Sequence, residues 1–177
     1  KDYLAGTAPE EWVSLRDEAF YAAQHIDIVL GTRAVSLDTS ARRIELSDGT
    51  SRTYDALLLA TGADPVKLPA AGDHVCYLRT LADSRAIIAR AKQAKRVVVI
   101  GASFIGLEVA AALRARELEV HVVAPEARPL ERVMGPQIGD FVRTLHEAHG
   151  VSFHLGRTVS KVEQNTVVLD DGTRIAA

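Results

Sequence analysis

Three small residues at fixed spacing, Gly101, Ser103 and Gly106, are the part of the sequence best suited to chemistry. They follow Val97–Ile100, whose β-branched run predicts a buried parallel strand, and they overlap Ile105–Leu113, whose composition predicts a helix. A strand, a tight turn and a helix in this order direct the N–H groups of the helix start toward a phosphate. The spacing therefore predicts a dinucleotide-binding corner, with Gly101 in the turn and Gly106 allowing close helix–strand packing.

The middle position of this corner departs from the G-x-G-x-x-G pattern, because Ser103 replaces the second glycine. Backbone approaches the phosphates at this point, so the serine has two opposite consequences. Its hydroxyl donates to a phosphate, or its Cβ holds the ligand further away. A tight, well-packed turn that binds nothing is the alternative to both.

Composition limits the class of protein. The chain has 177 residues, 47% of them hydrophobic and 25% charged, and a net charge of −2, which argues against a nucleic-acid surface or a basic membrane patch. Cys76 is the only cysteine, which excludes a disulfide framework and a C-x-x-C redox pair. No apolar run has the length of a membrane span. We therefore expect a cytoplasmic protein with no nucleic-acid or membrane partner.

The other predicted elements surround the corner. Glu10–Ala23 predicts helix or mixed loop and helix, and Thr80–Asp83 predicts a capping box at a helix start. Buried strands are expected at Ile26–Leu30 and Tyr54–Ala60. Further strands are predicted at Ala34–Leu37, Arg42–Leu46, Val120–Ala124, Val151–Leu155, Val159–Val162 and Val167–Leu169, a helix by the spacing of Ile138, Phe141, Val142 and Leu145, and loops at 66–77 and 125–136.

Two stretches of the chain, 26–54 and 151–177, share the order of strand, glycine, hairpin and D-G-T turn. The second stretch follows the first at a nearly constant offset, which predicts a duplicated domain; coincidence between common D-G turns is the alternative. The matching glycines are Gly31 with Gly156, 125 positions later, and Gly49 with Gly172, 123 positions later.

The duplication predicts that the sequence is a part of a longer protein. The counterpart of Gly101 would precede Lys1, and the second copy stops at Ala177, where its next strand is expected. We therefore expect residues 1–65 to be the C-terminal part of an FAD-binding domain. Residues 66–94 would be a connector with a helix, and residues 95–177 a C-terminally truncated NAD(P)-binding domain.

Four motifs occur along the chain: KDYLAG at 1–6, LATG at 59–62, YLRTL at 77–81 and the glycine corner. In this order they resemble the FAD-dependent pyridine nucleotide-disulphide oxidoreductases, closest to the ferredoxin, rubredoxin and putidaredoxin reductases and the apoptosis-inducing-factor-like reductases. The resemblance covers essentially the whole chain. It implies an α/β, FAD/NAD(P)-binding Rossmann-like fold of three layers, a central parallel sheet with an antiparallel β-meander, in a partial two-domain duplication.

The resemblance also implies an FAD-dependent NAD(P)H oxidoreductase. In such proteins NADH passes hydride to FAD, and the flavin passes single electrons to a small iron–sulfur protein such as a ferredoxin. The cofactors carry this chemistry, which agrees with the lack of an evident catalytic acid–base pair. Because the first glycine corner is missing, the isolated chain is expected to bind NAD(P), to hold FAD weakly or not at all, and to be inactive.

On the FAD side, the resemblance assigns roles to five residues. Lys1 matches the lysine against the flavin ring, and the Val35 backbone matches the contact to the adenine. Thr61 and Gly62 match the strand end beside FAD, and Arg79 matches an arginine that also touches it. From the residues alone, a solvated lysine, a core valine, a strand-end cap and a surface arginine are the alternatives.

On the NAD side, the resemblance assigns the pyrophosphate loop to the glycine corner, with Ile105 as an apolar gate near the nicotinamide. Glu108 matches the glutamate that contacts the nicotinamide amide. A buried charge in a helix needs a partner, which favours this role over a helix-start glutamate that interacts with the dipole. The loop residues are Gly101, Ala102, Ser103, Phe104, Ile105 and Gly106.

The choice between NADH and NADPH depends on the end of the second strand, where an acidic residue normally binds the ribose hydroxyls. That position is Ala124, followed by Pro125. Glu126 lies two residues later and is near enough to reach the ribose, whereas Arg128 would suit a 2′-phosphate. The family also places an arginine there in members that use NADH, so we expect NADH.

Three other functions are weighed against the reductase. One is an NAD(P)-binding sensor or scaffold without flavin turnover, and another is an interaction protein related to the apoptosis-inducing factors. The third is a single-domain dehydrogenase, which requires a catalytic side chain after the glycine corner. The available histidines lie in strand or helix settings without a positioned partner, and we interpret them as packing or surface residues: His121, His146, His149 and His154.

Overall fold

The computed structural model describes residues 1–68, 72 and 74–177. They form two compact units, Lys1–Val13 with Asp64–Ala177 and Ser14–Ala63. The domain limits at 65 and 94 stay predictions. The predicted loop at 66–77 includes residues 69–71 and 73, which lie outside the described part of the chain.

The helices and strands are numbered in chain order. The helices are α1 (Asp2–Ala5), a 3₁₀ helix (Glu10–Val13), α2 (Glu18–Ala23), α3 (Leu81–Ala91), α4 (Phe104–Arg114) and α5 (Glu131–Ala148). The strands are β1 (Ala34–Asp38), β2 (Arg43–Leu46), β3 (Ser51–Thr53), β4 (Arg96–Ile100), β5 (Glu119–Ala124), β6 (Val151–Leu155), β7 (Val159–Glu163), β8 (Thr166–Leu169) and β9 (Arg174–Ala176).

The larger unit has three layers around a parallel sheet with the strand order β4-β5-β6. On one face, Val120 and Val122 of β5 pack in a common buried cluster with Ala110 and Leu113 of α4. On the other face, Val123 packs against buried side chains of the antiparallel meander β7-β8-β9. Alternate residues of β5 thus serve opposite layers, and the three-layer α/β fold is confirmed.

The strand before the glycine corner is less buried than its apolar sequence predicts. Of β4, only Val99 is buried, and Ile100 is 38% exposed. The reason is that β4 pairs with β5 alone among the described residues, so it is an edge strand rather than a central one.

The capping box before α3 is confirmed. The Asp83 backbone N–H donates to Thr80 Oγ1 at 3.1 Å, and the Thr80 N–H donates to Asp83 Oδ2 at 2.7 Å. Two of the donors that a helix start leaves unpaired are therefore satisfied reciprocally.

The helix α5 begins earlier than the end of the loop predicted at 125–136. It starts at Glu131 and contains a kink at Gly135, whose φ is +79°, followed by Pro136. Proline lacks a backbone donor and breaks the regular ladder, so two helical segments meet at this point. The helix predicted through Leu145 is confirmed.

The smaller unit consists of α2 and the meander β1-β2-β3. The N–H of Phe20 donates to Asp17 Oδ1 at 2.8 Å, which caps α2. The strands predicted at Ile26–Leu30 and Tyr54–Ala60 are wrong: neither is a strand, and both are largely exposed. Within 14–63, all of which the structure describes, no neighbouring strand pairs with either stretch, and an apolar run becomes a strand only beside such a partner.

Candidate functional site

The glycine corner has the geometry that its spacing predicts. Gly101 has a φ of +109°, which L-residues rarely adopt, and its N–H donates to Val123 O at 2.8 Å. A Cβ on Gly106 would lie 2.0 Å from Gly101 O and 3.7 Å from Val99 Cγ1. Helix α4 therefore approaches β4 closely enough that only glycine fits at residue 106.

The N-terminus of α4 presents its first donors at this corner. Ser103 is the N-cap residue, with extended backbone, and its hydroxyl makes no capping hydrogen bond. The first N–H groups of a helix have no intrahelical acceptor, so they are available to an anion. Phe104 and Ile105, the next two residues, are 52% and 60% exposed.

The loop after β5 is attached to the glycine corner. The N–H of Leu130 donates to the carbonyl oxygen of buried Ala102 at 3.1 Å. The loop that contains the residues assigned to the ribose is therefore joined to the loop assigned to the pyrophosphate. This agrees with a ligand that lies across the carboxyl ends of parallel strands.

The structure brings Lys1 and Glu108, assigned to the flavin and the nicotinamide, into contact. Lys1 Nζ lies 3.7 Å from Glu108 Oε1 in an ion pair, with side chains 58% and 56% exposed. Glu108 was expected to be buried, which is wrong, because it faces outward from α4 toward Lys1. A cavity of about 420 Å³ lies beside the pair and is lined mainly by apolar side chains of α4 and α5.

Residues that sequence reasoning missed hold α1 and thereby position Lys1. Leu4 is buried at 2% exposure, and its carbonyl oxygen accepts a hydrogen bond from the Arg116 guanidinium. Tyr3 Oη donates to Glu10 Oε2 at 2.6 Å, and Glu10 forms an ion pair with Arg85 of α3. Hydrogen bonds from Arg85 and then Tyr3 lower the pKa of Glu10 to about 2. Arg85 and Arg116 are too far from α1 in the sequence to be found by spacing.

The loop after β5 contains two separate groups of charged side chains. Arg128 donates from Nε to Asp140 Oδ1 at 2.8 Å and from Nη1 to Glu131 Oε1 at 3.1 Å. Hydrogen bonds to Asp140 and then to Glu131 raise the pKa of Arg128. Glu126 Oε1 instead lies 3.1 Å from Arg132 Nη2.

The residues assigned to FAD are divided between the two units. Val35, Thr61 and Gly62 lie in the smaller unit, where Val35 is exposed at an irregular point of β1 and Gly62 has a φ of +75°. Arg79 lies in the larger unit, where its N–H donates to Asp83 Oδ2 at 3.0 Å. Their roles toward FAD stay predictions.

The expectation that no histidine has a positioned partner is wrong for His121 and His154. His121 Nδ1 lies 3.1 Å from His154 Nε2, and His121 Nε2 lies 3.1 Å from Glu119 Oε1. Burial and then the charge of His121 lower the pKa of His154. Among the described residues, no group of three or more His, Cys, Asp or Glu side chains is arranged to hold a metal ion.

Comparison with known proteins gives one family. The family model for pyridine nucleotide-disulphide oxidoreductases matches residues 2–177. Putidaredoxin reductase of Pseudomonas putida is 39% identical over 100% of this chain and 45% of its own length. The ferredoxin–NAD(+) reductase component of the anthranilate 1,2-dioxygenase system of Burkholderia cepacia is 40% identical over 88% of this chain and 39% of its own.

A solved structure of the same kind of reductase also matches this chain. The reductase in a covalent putidaredoxin reductase–putidaredoxin complex superposes with a TM-score of 0.89 and 39% identity over 100% of this chain and 46% of that one. The chain therefore spans less than half the length of the proteins it matches. In the described part of the chain, no helix combines the length and the apolar character needed to cross a membrane.

Proposed function

Because the chain belongs to the pyridine nucleotide-disulphide oxidoreductase family, we propose that it is the nucleotide-binding part of an NADH-dependent flavoprotein reductase. The whole protein would pass electrons to a small iron–sulfur protein such as a ferredoxin. The observation that carries the proposal is the Lys1–Glu108 ion pair beside the glycine corner. The names of the relatives, which include ferredoxin and putidaredoxin reductases, support the class of acceptor.

The larger unit offers a group for each part of NADH. The backbone N–H groups of Ser103 to Gly106 and the Ser103 hydroxyl would bind the pyrophosphate. Glu126 would accept hydrogen bonds from the ribose hydroxyls. Glu108 would accept from the nicotinamide amide, while Ile105 would exclude water at the reacting end. The glycine corner supports this assignment, because a Cβ on Gly101 would meet no atom within 4 Å and the turn is therefore open to a ligand.

For FAD, the proposed contacts are Lys1, Val35, Thr61, Gly62 and Arg79. FAD and NADH, when bound, supply hydride transfer and its conversion into single-electron steps. Lys1 would hold a positive charge beside the flavin ring, and Glu108 would fix the position of that charge. A cytoplasmic location belongs to the same proposal, because it supplies NADH to the nucleotide site.

The ion pairs of the loop after β5 support NADH over NADPH. Arg128, the residue suited to a 2′-phosphate, already donates to two carboxylates, and a phosphate would have to compete with both. Glu126 places a negative charge where the 2′-phosphate of NADPH would lie. We therefore expect NADH to bind more tightly than NADPH.

The experiment that tests the nucleotide site is a calorimetric titration with NADH of the purified chain and of Ser103→Asp. Aspartate is a favourable N-cap residue, so this variant keeps or increases the stability of α4. Its carboxylate, however, repels the pyrophosphate at the helix start. We expect the affinity for NADH to fall by about tenfold or more, the size of one lost charge-assisted hydrogen bond.

Ser103→Ala is the matched control, because it removes the hydroxyl without adding charge. Its affinity should lie between those of the other two proteins. Equal NADH affinity in the parent chain and Ser103→Asp would overturn the proposed pyrophosphate site. Flavin absorbance in the purified chain would contradict a sensor that binds NADH and has no site for flavin.

A further inference from the structure

The nucleotide end of the larger unit contains two arginines with different surroundings. The Arg128 side chain is 36% exposed and donates to Asp140 and Glu131 at 2.8 and 3.1 Å. The Arg132 side chain is 84% exposed and, within the described residues, has one ion pair, to Glu126 at 3.1 Å. Both arginines therefore lie near the proposed ribose site, but one is fixed by two carboxylates and the other is held by one.

Close packing explains why Arg128 is fixed. A Cβ on Gly139 would lie 2.9 Å from Arg128 Cβ and 2.7 Å from Pro129 O, so α5 passes directly against this loop. That approach places Asp140 next to the guanidinium of Arg128. The two ion pairs of Arg128 connect the loop to both segments of α5, on either side of the kink at Gly135. Releasing Arg128 to a ligand would leave two carboxylates without their cation.

Arg132 has the opposite properties. It is the second residue of α5, and its guanidinium extends into solvent beyond the Glu126 carboxylate, which is itself 25% exposed. The hydrogen bond from Leu130 to Ala102 holds this start of α5 beside the glycine corner. A guanidinium in such a position is suited to a phosphate, because its planar array of donors matches phosphate oxygens.

We propose that Arg132 is a specificity-determining residue that Glu126 keeps from acting, and that Arg128 is a structural residue of the loop. This proposal rests on the proposed nucleotide site and extends it. With Glu126 present, its carboxylate accepts the ribose hydroxyls of NADH and neutralises Arg132. Without that carboxylate, Arg132 binds the 2′-phosphate of NADPH. One side chain thus disfavours NADPH in two ways, by repelling the phosphate and by occupying its cation.

The test uses the purified chain, Glu126→Gln, Arg132→Gln and the double variant Glu126→Gln/Arg132→Gln. Each is titrated with NADH and with NADPH. Each is also titrated with 2′,5′-ADP and with 5′-ADP, and the difference between these two affinities reports the contact to the 2′-phosphate without any flavin. Thermal unfolding of every variant verifies folding, and substitution of the exposed Arg132 should leave the midpoint unchanged. Glutamine retains the size of glutamate, so the variants differ from the parent mainly in charge.

We expect Glu126→Gln to bind NADPH and 2′,5′-ADP about tenfold more tightly than the parent, the size of one charge-assisted hydrogen bond. Its affinity for NADH should fall. In the double variant the gain for NADPH should be largely lost. The gain should also shrink as salt is raised, because both groups are exposed to solvent.

Several results would overturn the proposal. One is no gain for NADPH in Glu126→Gln, and another is a gain that persists in the double variant. An equal loss of NADH and NADPH in Arg132→Gln would place Arg132 on the pyrophosphate instead. The proposed function has a separate outcome: a parent chain that binds neither coenzyme would contradict it and this inference together, whereas normal NADH binding without an effect of Arg132 contradicts only the inference.

Discussion

The meanders β1-β2-β3 and β7-β8-β9 are built on the same register. Ala34 pairs with Leu46 as Val159 pairs with Leu169, and each first strand has its irregularity just after that pair. The turns match as well, since Leu46 N donates to Thr50 O at 2.9 Å and Leu169 N donates to Thr173 O at 2.9 Å. The two stretches predicted to be duplicated therefore have the same strand pairing and the same turn hydrogen bonds.

Their surroundings differ. Val167, Leu169 and Ile175 of the second meander are buried against Val123 of the parallel sheet. The equivalent residues of the first meander, 123 positions earlier, are half-buried or exposed, and one of them is Arg52. The backbone form of a meander thus follows from its turns and strand pairing, whereas the stabilisation from burial depends on a layer that covers one face.

The largest effect expected from this comparison is that of a truncated core side chain. Leu169→Ala should lower the local free energy of unfolding by about 2–5 kcal/mol, because Leu169 is 2% exposed and a cavity would remain. The equivalent change Leu46→Ala should cost less than Leu169→Ala, about 1–2 kcal/mol, because Leu46 is only partly buried. Hydrogen exchange of the amides in β8 and β2 measures each region separately.

Far-UV circular dichroism of both variants serves as the control that secondary structure is retained. Equal losses at Leu169 and Leu46 would show that the first meander is covered as well as the second. The two meanders would then differ in sequence but not in burial.

The next effect should be the same in both meanders. Gly49 and Gly172 have φ values of +82° and +84°, and neither has an atom within 4 Å of a Cβ built on it. An L-residue in this conformation is strained whatever the space around it, so Gly49→Ala and Gly172→Ala should each cost about 1 kcal/mol. The same exchange experiment measures both, and a cost at Gly172 several times that at Gly49 would mean that turn strain depends on the layer beneath.

The elements that sequence predicts correctly are those with local determinants. The D-G-T turns, the capping box at Thr80 and the strand–turn–helix corner each depend on residues close together in the chain. Ile26–Leu30 and Tyr54–Ala60 fail because a strand requires a partner, and no local pattern reports whether one is present.

The candidate site divides in the same way. The positions of Gly101, Ser103 and Gly106 follow from spacing, and the structure has the expected geometry there. The attachment of α1 through Arg85 and Arg116, and the ion pair of Arg128 with Asp140 beyond the kink, join residues that are distant in sequence. Only tertiary packing brings such groups together, so sequence alone left Arg128 available to a phosphate.

A smaller effect should be confined to the second repeat. His154 corresponds to Val29, 125 positions earlier, and burial followed by the charge of His121 lowers its pKa. The folded state then binds fewer protons than the unfolded chain, so this contribution to stability is present above about pH 6.5 and is lost as the pH falls toward the lowered pKa. The charges of His121 and Asp171 act on His154 directly, and His121 in turn contacts Glu119, which pairs with Arg96.

The variant His154→Val copies the first repeat and should remove that part of the pH dependence. Thermal unfolding between pH 5 and 7.5 measures it, with His146→Gln as the control, because burial also lowers the pKa of His146. If the dependence of the unfolding midpoint on pH is unchanged in His154→Val and reduced in His146→Gln, the pH dependence belongs to His146 instead.

The smallest effect concerns the aspartates of the two D-G-T turns. They allow the effect of hydrogen bonds within a turn to be compared with that of an ion pair to a residue outside it. Hydrogen bonds from Thr50 lower the pKa of Asp48, and those from Thr173 lower the pKa of Asp171. A lowered pKa stabilises the fold above the unfolded value of about 3.9, and that contribution is lost as the pH falls through the folded value. Asp48→Asn and Asp171→Asn should therefore reduce the loss of stability in acid by similar amounts.

Asp171 also pairs with Arg157 at 2.9 Å, and Thr32 occupies the equivalent place in the first repeat. Since salt screens exposed ion pairs more than short hydrogen bonds, the two effects, measured by hydrogen exchange of the flanking amides, should differ slightly at low salt and converge at 1 M. A difference that is independent of salt would contradict the assignment to Arg157.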